Sequence, residues 1–515
     1  MNQPSIMWNL SDNRRMRMAV RRRTMRKLAA MLLLAGMAAP GVAQTPTEAA
    51  PATVAITLHV ATDRPGTTFE GWGTALAWFA NVTGGYPDAT RERLADLFYG
   101  PNGLGWTIAR YNIGGGNAAD TPRYLRTGAA VPGFWRRPAG ATGSDWWRPE
   151  DPTMWDWSAD AHQRWWLDAI RSRVRQPIFE AFSNSPPWFM TVSGRVSGAT
   201  KGSDDNLRPG AEPQFATYLA RVVDELQRRH RLTFRTLSPV NEPNTDYWFA
   251  ANTQEGAHWS PARQGRMIDA ADAALKARGL KTVIAAPDET NSTLFVADWA
   301  GWNPATRARV GQLNVHSYAN THQTAVRDIA RAADIRLWMS EHDMSADKDP
   351  ENFESMATAL AFAEHVVGDI RRLEPAAWVF WQAVENISAR DGKPGSNWGL
   401  IKMDLTAAAP RPESIHITRK YWAMANFSRY VRPGYRLLPI DDMDSIAALS
   451  ADGATLVVVH VNPGPVRRDL SLAAGGYRLS ETIVTDATHN AAPVAGSTMV
   501  APPRSVTTFV LKRPG

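Results

Sequence analysis

A chain of 515 residues without cysteine has the length for one large domain and a smaller one, and it excludes disulfides and thiolate metal sites. Its formal charge of +7 suggests a polyanionic partner, but the whole excess lies in residues 1–43, where eight basic side chains face only Asp12. The remainder is formally neutral, which removes the electrostatic case for nucleic acid.

Residues 1–43 read as an export signal: basic as far as Lys27, then an apolar run at 28–37, then small residues ending at Ala43. The apolar run is too short to span a membrane. Cleavage after Ala43 predicts a periplasmic or secreted protein with no stable membrane insertion. Arg22-Arg23 leaves twin-arginine export open, Met18 or Met25 are alternative starts, and an uncleaved anchor is the competing reading.

Residues 44–62 are expected to form a Pro/Thr/Ala linker and then a strand, in which Val54, Ile56, Leu58 and Val60 alternate. This strand precedes the first strand–helix unit, so it is expected to join the C-terminal strands. Residues 63–430 alternate between strand and helix. Strands are predicted at 70–73, 106–111, 177–183, 234–237, 282–286, 312–315, 335–339 and 377–380. The helix at 214–229 shows Leu219, Val222, Val223 and Leu226 at helical spacing, and the helix at 260–278 carries Ser260 as its expected cap with Pro261 at its first position. Eight such units predict an α/β fold, a (β/α)8 barrel with functional side chains at the C-terminal ends of its strands. A long insertion at 134–157 holds Trp135, Trp146, Trp147, Trp155 and Trp157. Such an aromatic loop is expected to be ordered and to govern substrate choice. Residues 431–515 change to short alternating runs separated by Gly and Pro, which predict an appended antiparallel β-sandwich.

The chemistry centres on two glutamates. The fourth strand runs into Asn241-Glu242-Pro243, and the seventh ends at Ser340-Glu341-His342, 99 positions after the first glutamate. At about 30–35 residues per unit this is three βα units. Acids three units apart on a closed eight-unit barrel face each other across its mouth, as glycoside hydrolysis requires. Spacing along the chain leaves the carboxyl separation open, and with it retention or inversion. Asn241 stands where its amide can hold a sugar hydroxyl, and Trp188 and Trp381, at strand ends, offer faces for a pyranose. Trp78 and Trp248 divide evenly between that role and the core. Asp288 and Glu289 accept sugar hydroxyls or sit in a solvated loop. Phosphate-loop, His-Glu-x-x-His and Gly-x-Ser-x-Gly patterns are missing, so no cofactor or metal is expected, and the substrate is expected to be a polysaccharide or oligosaccharide.

Taken together, these stretches resemble glycoside hydrolase family 30, and within it the endo-β-1,6-galactanase-like members. The likeness rests on Gly71-Trp72-Gly73-Thr74, Arg110-Tyr111-Asn112-Ile113-Gly114-Gly115, Glu180-Ala181-Phe182-Ser183-Asn184-Ser185-Pro186-Pro187-Trp188, Asn241-Glu242-Pro243, Gln254-Glu255-Gly256, Leu337-Trp338-Met339-Ser340-Glu341 and Trp378-Val379-Phe380-Trp381-Gln382. The resemblance implies Glu242 as acid/base and Glu341 as nucleophile in a retaining double displacement on β-1,6-galactan. It also implies that Arg110 and Tyr318 hold the nucleophile, with His316 a rim ligand or a buried, satisfied histidine. Within the family the alternatives are a xylanase, a β-1,6-glucanase, a glucosylceramidase or an exo-acting fucosidase or galactosidase. Outside it stands a catalytically inactive carbohydrate-binding barrel.

Overall fold

The computed structural model describes residues 53–64, 66–319, 321–343, 352–387, 398–473 and 475–514; the expected signal at 1–43 lies outside them. After β1 (Thr53–Leu58) come eight parallel strands: β2 (Gly71–Ala75), β3 (Ile108–Asn112), β4 (Ile178–Phe182), β5 (Phe234–Ser238), β6 (Val283–Glu289), β7 (Val310–His316), β8 (Arg336–His342) and β9 (Ala377–Gln382). They close in chain order into a barrel, β9 pairing with β2. Strands β2, β3 and β9 are buried along their whole length. Side chains within the barrel and helices outside it cover both faces, so these segments read as apolar runs and not as alternations. Buried polar residues such as Arg110, Glu180 and Asn314 sit inside the strands, and more gather at one end. Asn112, Ser238, Glu289, His316, His342 and Gln382 each close a strand, and the site gathers at that end of the barrel.

The helices follow the same apolar logic. In helix Glu212–His230, Leu219, Val222, Val223 and Leu226 are all buried. One local expectation is corrected. Helix Pro261–Ala277 begins after Ser260, but the Ser260 hydroxyl does not cap it; it donates to Asp205 Oδ2 at 2.9 Å. Tertiary pairing has taken the hydroxyl from the helix. Among the described residues no helix is long and apolar enough to cross a membrane.

A small sheet, β10 (Val384–Asn386), β11 (Ile401–Met403) and β12 (His416–Ile417), follows the barrel. The remaining strands are β13 (Arg436–Leu438), β14 (Ser445–Leu449), β15 (Thr455–Asn462), β16 (Arg467–Leu472), β17 (Arg478–Thr485), β18 (Ala492–Val494), β19 (Met499–Ala501) and β20 (Ser505–Lys512). Six of them form an antiparallel sheet in the order β13-β14-β15-β20-β17-β18, and β1, β16 and β19 form a second, mixed sheet. In that second sheet β1 runs parallel to β16, Thr53 opposite Arg467. Leu58, Leu456, Val458, Leu470, Met499 and Phe509 fill the space between the sheets. Val457, Val459 and Val461, on the other face of β15, belong to the larger core continuous with the barrel and its helices. Helix Arg419–Ser428 ties the two parts together, its Asn426 Nδ2 donating to Ile483 O at 3.1 Å and Thr508 Oγ1 at 3.0 Å.

Candidate active site

Glu242 lies four residues beyond the end of β5, with a left-handed backbone (φ 47°) that a side-chain-bearing residue adopts only when its surroundings enforce it. The enforcing contacts are present. Its N–H donates to Asp288 O at 2.9 Å, and its carbonyl accepts from Thr245 Oγ1 and Trp248 Nε1, both at 2.9 Å. Asp288, also left-handed, is the penultimate residue of the neighbouring strand β6. Glu341 needs no such loop, because it is the penultimate residue of β8. One carboxylate oxygen of Glu242 and one of Glu341 lie within 4.8 Å of each other, with a His316 nitrogen in the same cluster. That is closer than the ~6.5–9.5 Å an inverting pair needs for its water, and it suits direct attack by one carboxylate.

Beneath the pair the charges are paired inside the barrel. Arg110, fully buried, donates to Glu180 Oε1 at 2.7 Å, to Asp288, to Ser340 O at 3.1 Å and to Glu341 Oε2 at 3.3 Å. Burial alone would weaken its hold on the proton, but three carboxylates more than offset this and keep it charged. His316 is equally buried: Nδ1 stands 3.2 Å from Glu242 Oε1 and 3.5 Å from Glu341 Oε1, and Nε2 stands 3.2 Å from Asp288 Oδ1. Burial opposes its charge, yet Glu341, Asp288 and Glu242 push its pKa up to about 10, so it is an imidazolium at neutral pH. Burial raises the Glu341 carboxyl, and so does the charge of Glu242, while His316 and Arg110 draw it down. Glu242, His316 and Glu341 have the residue types of a metal site. With both ring nitrogens facing carboxylates, however, a protonated His316 has no lone pair to give an ion.

A cleft of about 350 Å³ opens above the pair, lined among others by Asn184, Asn241, Tyr247, Trp248, Tyr318 and Trp381. Tyr318 donates to Glu341 Oε1 at 3.0 Å. Asn241 Oδ1 is buried and has no hydrogen-bond partner among the described residues, which leaves it for a ligand. Trp381 lines the cleft, and Trp78 stands edge-on behind it at 5.7 Å, 1% exposed. Trp248 reaches the cleft because residue 256 is glycine: a Cβ there would come within 2.0 Å of its ring.

Comparison with known proteins agrees with this geometry. Residues 53–299 match the sequence model of O-glycosyl hydrolase family 30. The chain is 31% identical over 421 residues to the endo-β-1,6-galactanase of Hypocrea rufa, an alignment covering 77% of this chain and 79% of that protein. The chain belongs to O-glycosyl hydrolase family 30. It is also 30% identical to an exo-β-1,6-galactobiohydrolase of Bifidobacterium longum subsp. longum, over 77% of this chain and 33% of that longer protein. In fold it is similar to the catalytic domain of the GH30 xylanase C from Talaromyces cellulolyticus, with a TM-score of 0.66 and 19% identity over 89% of this chain and 100% of that one. The molecule is therefore an O-glycosyl hydrolase.

Within this family 30 barrel the expected site residues fall into three groups. Glu242, Glu341, Asn241, Tyr318, Trp248 and Trp381 meet at the cleft. Arg110 and His316 lie beneath it, His316 wholly buried and not at the rim. Trp78 and Trp188 are not among its lining residues. Trp188, 9% exposed, packs against Trp135 and Phe189 with Arg137 over its ring at 5.4 Å. Asp288 and Glu289 are fully buried, so neither is a solvated loop residue. Glu289 accepts from the N–H groups of Asn244 at 2.8 Å and Thr290 at 3.0 Å, bracing the turn that follows Glu242. Three contributors escaped the sequence reading. Glu180 anchors Arg110, and it also accepts from Thr236, Gln312 and Asn314. Glu255, which burial pushes up to about 8, holds Asn112 Nδ2 and Gly115 N, each at 3.0 Å. Tyr247 donates to Glu242 Oε2 at 2.6 Å. The available signal was their place inside or beside the strand-end motifs, which distinguishes a supporting acid from a surface one only once burial is known.

Proposed function

We propose that the chain is an exported, retaining endo-glycosidase that cleaves β-1,6-linked galactan, with Glu242 as acid/base and Glu341 as nucleophile. The observation that carries the mechanism is the approach of one oxygen of each carboxyl to within 4.8 Å of the other. Arg110 contacts Glu341 Oε2 and Ser340 O, which holds the Glu341 carboxyl in place for attack. In the first step Glu341 attacks the anomeric carbon while Glu242 gives its proton to the departing glycosidic oxygen. In the second a water loses its proton to Glu242, attacks the same carbon and releases Glu341. Two inversions give net retention.

Asn241, with its open amide oxygen, is the group we assign to a hydroxyl of the bound sugar, and Trp381 is the wall against which the pyranose stacks. Two relatives whose names specify β-1,6-galactose linkages support the substrate, and the leader at 1–43 supports export. Digestion of β-1,6-galactan, β-1,6-glucan, glucuronoxylan and aryl glycosides, followed by product sizing, tests the reading. A ladder of oligosaccharides from the galactan alone is expected. Release of galactobiose alone would replace endo with exo action, and turnover of glucuronoxylan alone would contradict the substrate.

A further inference from the structure

We propose that Tyr247 is a positioning residue for the proton-donating carboxyl, acting on the leaving-group half of the reaction; this rests on the acid/base reading of Glu242. The Glu242 carboxyl is gripped at both oxygens from two different elements. Oε1 faces His316 Nδ1, at the end of β7, at 3.2 Å, and Oε2 accepts from the Tyr247 hydroxyl at 2.6 Å. With both oxygens engaged, the plane of the carboxyl is fixed before a substrate arrives. The charged pair Arg110–Glu341 receives its own phenol from Tyr318, so each carboxyl of the dyad carries one tyrosine.

Tyr247 is built for this and poorly built for the core. The residue is 39% exposed and lines the cleft, yet its hydroxyl is turned inward onto Glu242 and stands 3.1 Å from Thr290 Oγ1. Its ring leans on Trp248 at 4.9 Å, and its carbonyl accepts from Asn252 Nδ2 at 2.6 Å, so the loop holds the phenol in place. Burial of the hydroxyl, and then its contact with the Glu242 carboxyl, push its pKa well above the usual phenol value, which keeps it a donor throughout the working range. A half-exposed tyrosine with no share in the barrel core adds little to folding, so its removal is read in chemistry.

The test compares wild type with Tyr247→Phe on two substrates sharing a β-1,6-galactobiosyl glycone. One has a sugar leaving group, which needs the proton, and the other has 2,4-dinitrophenolate, which does not. The expected result is a fall of about 10-fold in kcat/KM on the sugar-leaving substrate, with kcat falling and KM little changed, and a fall below about 3-fold in kcat/KM, which reports the first step alone, on the dinitrophenyl substrate. Thermal melting confirms that the variant is folded. Equal losses on both substrates, a loss confined to KM, or no loss on the sugar-leaving substrate would each overturn the proposal. Glu242→Gln is run beside it. If that variant fails to lose kcat/KM selectively on the sugar-leaving substrate, the acid/base reading itself falls, and the two failures are told apart.

Discussion

At the scale of single residues, His316 is the group whose placement alters the chemistry most. A histidine at the end of the sixth predicted barrel strand reads as a rim ligand or a satisfied core residue. In the structure it is a buried cation between both glutamates and Asp288. Its pKa is higher folded than unfolded, so its stabilisation is complete below the unfolded value of about 6.5 and is lost as pH rises towards about 10. Chemical denaturation at stepped pH should show wild type more stable than His316→Gln at pH 6, with the gap narrowing towards pH 10. A gap that widens with pH would show that the histidine is folded in its neutral form. Glu242, Glu341 and Asn241 were legible because each closes an apolar run at the end of a barrel strand. The depth of His316, Asp288 and Glu289 was not, because the strand pairing shifts register at Pro287/Glu289 and at Val315/His316. Such irregularities re-aim side chains at the mouth, and they depend on the neighbouring strand.

At the scale of elements, the tryptophan-rich insertion takes on a different role from the one its composition suggests. Trp155 stacks on Trp157 at 4.8 Å and on Tyr218 of helix Glu212–His230 at 5.8 Å, with Arg221 over its ring at 4.5 Å. Trp146 and Trp147 close on Phe189 at 4.5 and 5.7 Å. These rings glue the insertion to the outside of the barrel and brace the loop after β4, where Trp188 is held. Trp155→Ala is expected to cost about 3–5 kcal/mol in chemical denaturation, with the product profile of the folded enzyme unchanged. A variant of normal stability with altered products would return the insertion to a substrate-selecting role. Composition told correctly that the segment is ordered. It could not distinguish a ring facing sugar from one facing another ring, since both demand the same residue.

At the scale of the whole molecule, the barrel was readable because eight apolar runs alternate with amphipathic helices, and the strand limits fell close to those observed. The C-terminal strands were readable in part. β15 is buried on both faces, towards the smaller sheet and towards the barrel, so its valines do not alternate with polar residues. The three-residue strands β13, β18 and β19 are too short to carry a period of two. By bringing the ends of strands β5 and β8 face to face, the barrel sets one carboxylate oxygen of Glu242 and one of Glu341 within 4.8 Å of each other, the arrangement proposed to act by double displacement. Proton NMR of the first sugar released from β-1,6-galactan tests it most directly. The β-anomer should appear first and only later equilibrate with the α-anomer; initial release of the α-anomer would contradict the mechanism.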